Sequence, residues 1–222
     1  MLDLFADAAP WREDILPGAV ILRRFAREGA PQLLEDISLI AARAPFRHME
    51  TPGGFSMSVA MTSCGQQGWV TDRAGYRYQS TDPQDKQPWP AMPGRFLTLS
   101  QQAAEQAGFC GFTPDSCLIN RYQPGAKMAL HQDKDEQNLR APIVSVSLGL
   151  NARFLFGGRK RTDPVRQILL EHGDVVVWGG EARLFFHGIQ PVRPGDHPLT
   201  GPVRYNLTFR DSGKTNKNNN YS

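Results

Sequence analysis

The stretch HQDKDE, residues 131–136, sets a histidine two residues ahead of an aspartate in a chain that has only 5 histidines. On a strand, residues i and i+2 project from the same face with backbones roughly 6–7 Å apart, so His131 and Asp133 can converge on one cation. A solvated charge run at a strand end would look the same. A second such pair, His172-Gly-Asp174, runs straight into VVVWGG. The glycine at its centre reads as a turn feeding a buried strand, with Asp174 stabilising turn backbone. Far downstream of the first pair, His187 lies near the end of the apolar stretch LFFHGI. Two imidazoles and one carboxylate are the donor set that holds non-haem Fe(II) on one face and leaves positions for a co-substrate and O2. A core histidine satisfied by backbone is the competing account of His187.

A second constellation bears on that choice. In VRYNLTFR, residues 203–210, strand alternation puts Arg204, Asn206, Thr208 and Arg210 on one face and Val203, Tyr205, Leu207 and Phe209 on the other. Two arginines buried on one side of a core strand are costly unless anions meet them. A dicarboxylate such as 2-oxoglutarate would do so, because the planar guanidinium grips a carboxylate bidentately while the keto-acid end chelates the iron. The same alternation in LINRY places Leu118, Asn120 and Tyr122 together, an amide and a phenol able to complete such a cradle. On an edge strand the arginines would instead be surface residues.

The elements that must position these side chains are mostly short strands. Helical spacing is clear only twice. In PQLLEDISLIAARAP, Leu33, Ile37, Ile40 and Ala44 share a face between Pro31 and Pro45; in RFLTLSQQAAEQAG, Phe96, Leu99, Ala103 and Ala107 do so before Gly108. Both faces read as core packing. Residues 46–94 are turn-rich with short strand-like pieces, FSMSVAM and YRYQS, and read as hairpins in a loosely built, partly mobile region. From about residue 115, SCLINRY, KMALHQ, IVSVSLGL, RFLFGG, QILLE, DVVVWGG, RLFFHGI and RYNLTFR follow one another between turns. That is the pattern of a closed or sandwiched antiparallel sheet, with a jelly roll as the simplest form.

Bulk properties narrow the class. A chain of 222 residues, 40% hydrophobic, can bury a sizeable core, and 21 glycines with 17 prolines imply many turns. A net charge of +3 permits contact with phosphates without announcing it. The 3 cysteines, Cys64, Cys110 and Cys117, show no CxxC spacing, so neither a disulfide framework nor a zinc knuckle is indicated. No run reaches the length of a membrane span, and the opening residues lack a basic segment followed by an apolar one. A cytoplasmic protein without a membrane partner is expected.

The ordered set of HxD, distal histidine and two arginines within RYNLTFR resembles the Fe(II)/2-oxoglutarate dioxygenases, and within them the AlkB family of nucleic-acid alkylation-repair enzymes. TPGGFSMSVAMTSCG, CLINRYQPGAKMALHQDKDE, APIVSVSLGL and HGDVVVWGGEARLFFHGIQP all look like AlkB segments, so the resemblance covers nearly the whole chain. It implies an α+β, mainly β fold: a double-stranded β-helix (jelly-roll) core with N-terminal helices and a hairpin lid. Residues 1–212 would form a single catalytic domain, with an N-terminal extension and nucleotide-recognition lid over about 1–92, the helix and core over about 93–212, and a disordered tail at 213–222. His131, Asp133 and His187 would be the catalytic iron ligands, and Asn120, Tyr122, Arg204, Asn206 and Arg210 would hold 2-oxoglutarate.

Within the lid, GWVTDRAGYRY interleaves aromatic with basic residues, which suits stacking on bases and contacting phosphates. The resemblance implies that Trp69 stacks on the base, with Tyr76 and Arg77 nearer the nucleic-acid backbone, and Tyr78 and Arg161 as further substrate contacts. Local packing is the alternative for each. Asp135 would favour a positively charged methylated base over the neutral undamaged one; Glu136 either assists or faces solvent. The implied reaction is oxidative demethylation of 1-methyladenine or 3-methylcytosine by a monomer. Single-stranded or damaged DNA would be the substrate, RNA a further one, and Fe(II), O2 and 2-oxoglutarate would be consumed or held to release formaldehyde, succinate and CO2. Hydroxylation of a protein or small molecule by the same chemistry, and a non-catalytic nucleic-acid-binding module, are the rival readings.

Overall fold

The computed structural model describes residues 9–214. Among them, fourteen strands and two α-helices form two facing sheets, a separate hairpin and a helical layer. In chain order these are β1 (Trp11–Leu16), β2 (Ala19–Arg23), α1 (Ala30–Arg43), β3 (Arg47–Glu50), β4 (Ser56–Gly65), β5 (Gly68–Asp72), β6 (Gly75–Gln79), α2 (Gly94–Gln106), β7 (Ser116–Tyr122), β8 (Met128–His131), β9 (Ile143–Gly149), β10 (Ala152–Phe156), β11 (Arg166–Leu170), β12 (Val175–Trp178), β13 (His187–Ile189) and β14 (Arg204–Arg210). The larger sheet has eight strands in the order β1-β2-β12-β9-β14-β7-β4-β3, and the smaller has four, β11-β10-β13-β8. Every ladder is antiparallel.

The eight strands expected after residue 115 are all present and divide four and four between the sheets, which is the double-stranded β-helix. One is shorter than expected. In RLFFHGI only His187–Ile189 pairs, because Gly180–Ala182 forms a short 3-10 turn and residues 183–186 lead out of it.

Two apolar layers follow from strand alternation. Val176 and Trp178 of β12 pack between the sheets with Phe154, Phe156 and Ile189, while Val175 and Val177 pack with Leu33, Ile37, Ile40, Phe96 and Ala103 of the helices. The larger sheet is therefore covered on both faces, which is why VVVW is a continuous apolar run and why every residue of IVSVSLG is buried, with Val144, Val146 and Leu148 toward the helices and Ser145 and Ser147 on the opposite face. Helix α1 begins with Pro31 in its first turn, where a missing N–H costs nothing, and ends where Ala44 N–H bonds to Ile40 O at 2.8 Å ahead of Pro45.

Three expectations need correction. FSMSVAM does not belong to a loose lid: β4 pairs with β7 from Ala60↔Arg121 to Gly65↔Ser116, and most of it is buried. Only β5 and β6 form a hairpin outside both sheets. Residues 11–23, not read as strands, supply the hairpin β1–β2 at one end of the larger sheet, turned by Pro17-Gly18 with Gly18 at φ +81°. The expected disordered tail starts too early, since Lys214 donates to Tyr78 O at 3.2 Å; its remainder, from residue 215, lies outside the described residues.

Candidate active site

His131 ends β8, and His187 opens β13 directly across from it in the ladder. Their rings are 4.4 Å apart. Asp133, two residues beyond β8, turns its carboxylate between them, with Oδ1 3.6 Å from His131 Nε2 and Oδ2 3.7 Å from His187 Nε2. One donor atom from each residue lies within 4.8 Å of the others, so the three could hold a metal ion.

The ring orientations are set by backbone. His131 Nδ1 is 2.8 Å from Ala129 O and His187 Nδ1 is 3.0 Å from Phe185 O. A carbonyl only accepts, so Nδ1 carries the hydrogen on both rings and the Nε2 lone pairs face the centre. Burial, then the neighbouring His131, pushes the pKa of His187 down to about 4, which keeps it a neutral ligand at pH 7. Burial alone would raise Asp133; Arg210, then His187 and His131, outweigh it and hold the carboxyl well below its usual range.

The other HxD pair does the structural task expected of it. Asp174 accepts from Glu171 N at 2.9 Å, Arg24 N at 3.0 Å and Arg23 Nη1 at 2.7 Å. His172 Nδ1 accepts the Gly149 N–H at 3.0 Å. Gly173, at φ +89°, makes the turn.

Across the gap from the small sheet stands the polar face of β14. This strand lies between β9 and β7, so its arginines are not on an edge. Leu207 and Phe209 point to the helices; Arg204, Asn206, Thr208 and Arg210 are buried on the other face. Arg204 is 1% exposed, stacks over Tyr122 at 4.9 Å and donates once, from Nη2 to Ser147 Oγ at 3.0 Å. Its Nε and Nη1 have no partner. Burial lowers its pKa, partly offset by Tyr122, and burial raises that of Tyr122. Arg210 reaches Asp133 Oδ2 from Nε at 3.0 Å and Nη2 at 2.8 Å, leaving Nη1 unpartnered. Asn120 Nδ2 donates to Asn206 Oδ1 at 3.2 Å, and Asn120 Oδ1 is unpartnered. A dicarboxylate fits this set: the orphaned N–H groups are donors buried without an acceptor, and two of them sit on Arg204, a cation with no anion beside it.

The hairpin β5–β6 stands beside Asp135. Trp69 Nε1 donates to Asp135 Oδ2 at 2.9 Å, and the Trp69 and Tyr76 rings stack at 5.6 Å. Tyr76 is 49% exposed. Arg161 is exposed, its guanidinium 5.2 Å over Phe186. Two residues are placed differently from the other expected contacts. Arg77 spends its fork inside the hairpin on Asp72, at 2.9 and 2.6 Å. Tyr78 is buried, with its hydroxyl on Glu136 Oε1. Glu136 does not face solvent; it is 5% exposed.

Sequence reasoning missed Arg183, which is 3% exposed and donates to Asp133 O at 2.6 Å and Glu136 Oε2 at 3.0 Å. Its only signal was an arginine in the otherwise apolar ARLFFHG. Trp178, 4.9 Å from the His187 ring, carries no signal in the sequence beyond its place in an apolar strand.

Residues 18–210 match the 2OG-Fe(II) oxygenase superfamily. The chain is 66% identical to the alpha-ketoglutarate-dependent dioxygenase AlkB of Escherichia coli K12 over 96% of its own length and 99% of that protein's. The chain belongs to the AlkB family. Its AlkB relative from Salmonella typhimurium is 63% identical over the same shares of the two chains. The structure of OsALKBH1 superposes with a TM-score of 0.79 at 30% identity, covering 90% of this chain and 100% of that one. This AlkB-family chain is thus a dioxygenase dependent on Fe(II) and 2-oxoglutarate, and the cradle described above is of the kind that chemistry needs. No described helix is long and apolar enough to cross a membrane.

Proposed function

We propose that the chain demethylates N-alkylated bases, 1-methyladenine and 3-methylcytosine, in DNA and preferably in single strands, with RNA as a further substrate. One catalytic domain over residues 1–212, acting as a cytoplasmic monomer, would do this. The observation that carries the reading is the union of three elements at one place: a two-histidine, one-carboxylate donor set, a buried arginine without an anion, and an aromatic pair hydrogen-bonded to Asp135. A nucleic-acid substrate also fits the mouse relative, 32% identical over 59% of this chain, which is named a nucleic acid dioxygenase.

In this reading His131, Asp133 and His187 hold Fe(II). Arg204 takes the far carboxylate of 2-oxoglutarate, with Tyr122 covering it. Arg210, Asn120 and Asn206 border the rest. Bound Fe(II) supplies the activation of O2 that couples oxidative decarboxylation of 2-oxoglutarate to hydroxylation of the N-methyl group; the hydroxymethyl product then collapses to formaldehyde and the repaired base. The chain's own work is orientation and selection. Trp69 and Tyr76 offer a stacking surface for a base taken out of its strand, at a cost smallest in single strands. Asp135 is a carboxylate beside that surface, so a base carrying positive charge on its methylated ring gains what a neutral base does not. Arg161 is exposed and free to meet phosphate.

The test loads Fe(II) and 2-oxoglutarate without oxygen, then admits air with a 1-methyladenine oligonucleotide and measures formaldehyde and succinate together. Both are expected in equal amounts, both vanish in His131→Ala, and Trp69→Ala raises the KM for the oligonucleotide by about tenfold, the worth of one stacking contact. Succinate without formaldehyde would redirect the search to another substrate.

A further inference from the structure

Glu136 is a buried carboxylate to which the roles above assign nothing. Its Oε1 accepts the Tyr78 hydroxyl hydrogen bond and lies 3.4 Å from Arg210 Nε; its Oε2 accepts from Arg183 Nη2 at 3.0 Å. Arg183 also ties down the backbone on either side, from Nη1 to Asp133 O at 2.6 Å and from Nε to Ala141 O at 2.9 Å. Two carboxylates, Asp133 and Glu136, and two guanidiniums, Arg183 and Arg210, form a buried cluster of balanced charge. A carboxylate this deep is tolerable only because donors meet both of its oxygens.

The consequence concerns Arg210. Its fork is turned onto Asp133 Oδ2, the oxygen that also lies 3.7 Å from His187 Nε2. A cation held by Asp133, through either oxygen, draws on the same carboxylate charge and so weakens its hold on Arg210. The guanidinium then needs a second buried anion to stay in place, and Glu136 is the one within reach.

We propose that Glu136 is a positioning residue for 2-oxoglutarate: it anchors Arg210 on the co-substrate side, and through Tyr78 it joins that arginine to the hairpin carrying Trp69 and Tyr76. The inference rests on Arg210 being a 2-oxoglutarate contact, as proposed above. Tyr78 is then a residue of the hairpin that acts inward, on the co-substrate, rather than outward on the base.

The experiment measures the dissociation constant of 2-oxoglutarate by equilibrium dialysis on Mn(II)-loaded protein with no nucleic acid present, so that nothing turns over. Glu136→Gln is expected to raise it about tenfold, the scale of a charge-assisted hydrogen bond, and Tyr78→Phe, which reaches Arg210 only through Glu136, about threefold. Because both act through the same carboxylate, the double variant should bind no more weakly than Glu136→Gln alone. Tyr78→Phe keeps the buried ring, so it carries the test even if Glu136→Gln does not fold. A melting temperature that falls while 2-oxoglutarate binding holds, or effects of the two substitutions that multiply, would refute the positioning role. Wild-type protein that shows no Mn(II)-dependent binding of 2-oxoglutarate would overturn the site assignment and this inference with it. Normal wild-type binding with Tyr78→Phe unchanged overturns the inference alone.

Discussion

Arg204 carries a positive charge at 1% exposure with two N–H groups that nothing accepts. The protein without its co-substrate therefore holds a desolvated, half-satisfied cation, a cost that an incoming carboxylate relieves. Arg204→Met is of similar volume and removes both the cost and the recognition. The variant is expected to lose about 30- to 100-fold in 2-oxoglutarate affinity, the worth of a charge-assisted bidentate contact, while the ligand-free protein melts a few degrees higher. Thermal unfolding without metal or 2-oxoglutarate checks the second half; a drop in melting temperature would mean that Ser147 and Tyr122 already compensate the charge. At this scale much was legible: period-two alternation is enough to put Arg204 and Arg210 on one side of a strand. What alternation could not say is whether that side meets water. It also gave no sign that Tyr78 would be consumed by Glu136, a partner set by how distant chain segments cross; the Asp72–Arg77 pair is local, fixed by the β5–β6 hairpin that brings residues five apart together.

Among the elements, β8 and β13 decide whether the two histidines meet. Between them Gly188 allows close approach: a Cβ there would sit 2.6 Å from Met128 O and 3.2 Å from the Ala129 backbone. Backbone atoms of a paired strand cannot swing aside, so Gly188→Ala must push β13 off β8 and part His187 from His131. A loss of about 1–3 kcal/mol in stability is expected, with Mn(II) affinity down at least about tenfold by calorimetric titration. The turn between β11 and β12 offers a pH test away from the metal ligands. Burial, then His197 and Arg27, depress the pKa of His172 to about 4, below the ordinary 6.5 of an unfolded imidazole. The unfolded chain thus binds the extra proton first, so this contribution is present above pH 6.5 and is lost as the pH falls toward 4. His172→Asn keeps an acceptor for Gly149 N–H and removes the titration; its melting temperature should fall less between pH 7 and 5 than that of the wild type. Sequence reading found both helices and the eight core strands because their periods and apolar runs are strong. It misjudged β4 and passed over β1 and β2, whose place is set by pairing with β7 and β12, strands far along the chain.

For the whole molecule, a net charge of +3 is small, so attraction for a polyanion must come from local groups such as Arg161 rather than from the overall field. Binding of a methylated single-stranded oligonucleotide should weaken only gently with salt, with log K falling against log salt at a slope between about −1 and −3, as for a few phosphate contacts. A slope steeper than about −5, from binding curves over a salt series, would place a much wider basic surface on the nucleic acid. The covering of the larger sheet on both faces, by the smaller sheet and by the helices, keeps β14 central and its arginines dry. The sequence by itself determined the strand texture, the helices, which residues share a face, and the resemblance that named the chemistry, because these depend on local periodicity and on motifs read along the chain. Only the tertiary structure decided that β14 is interior, that His187 stands opposite His131, and that Glu136 and Arg183 close a buried ionic cluster behind them. Those facts depend on which distant strands pair and in what register. That is settled by burying both faces of a sheet at once, a condition on the whole chain that no short stretch of it encodes.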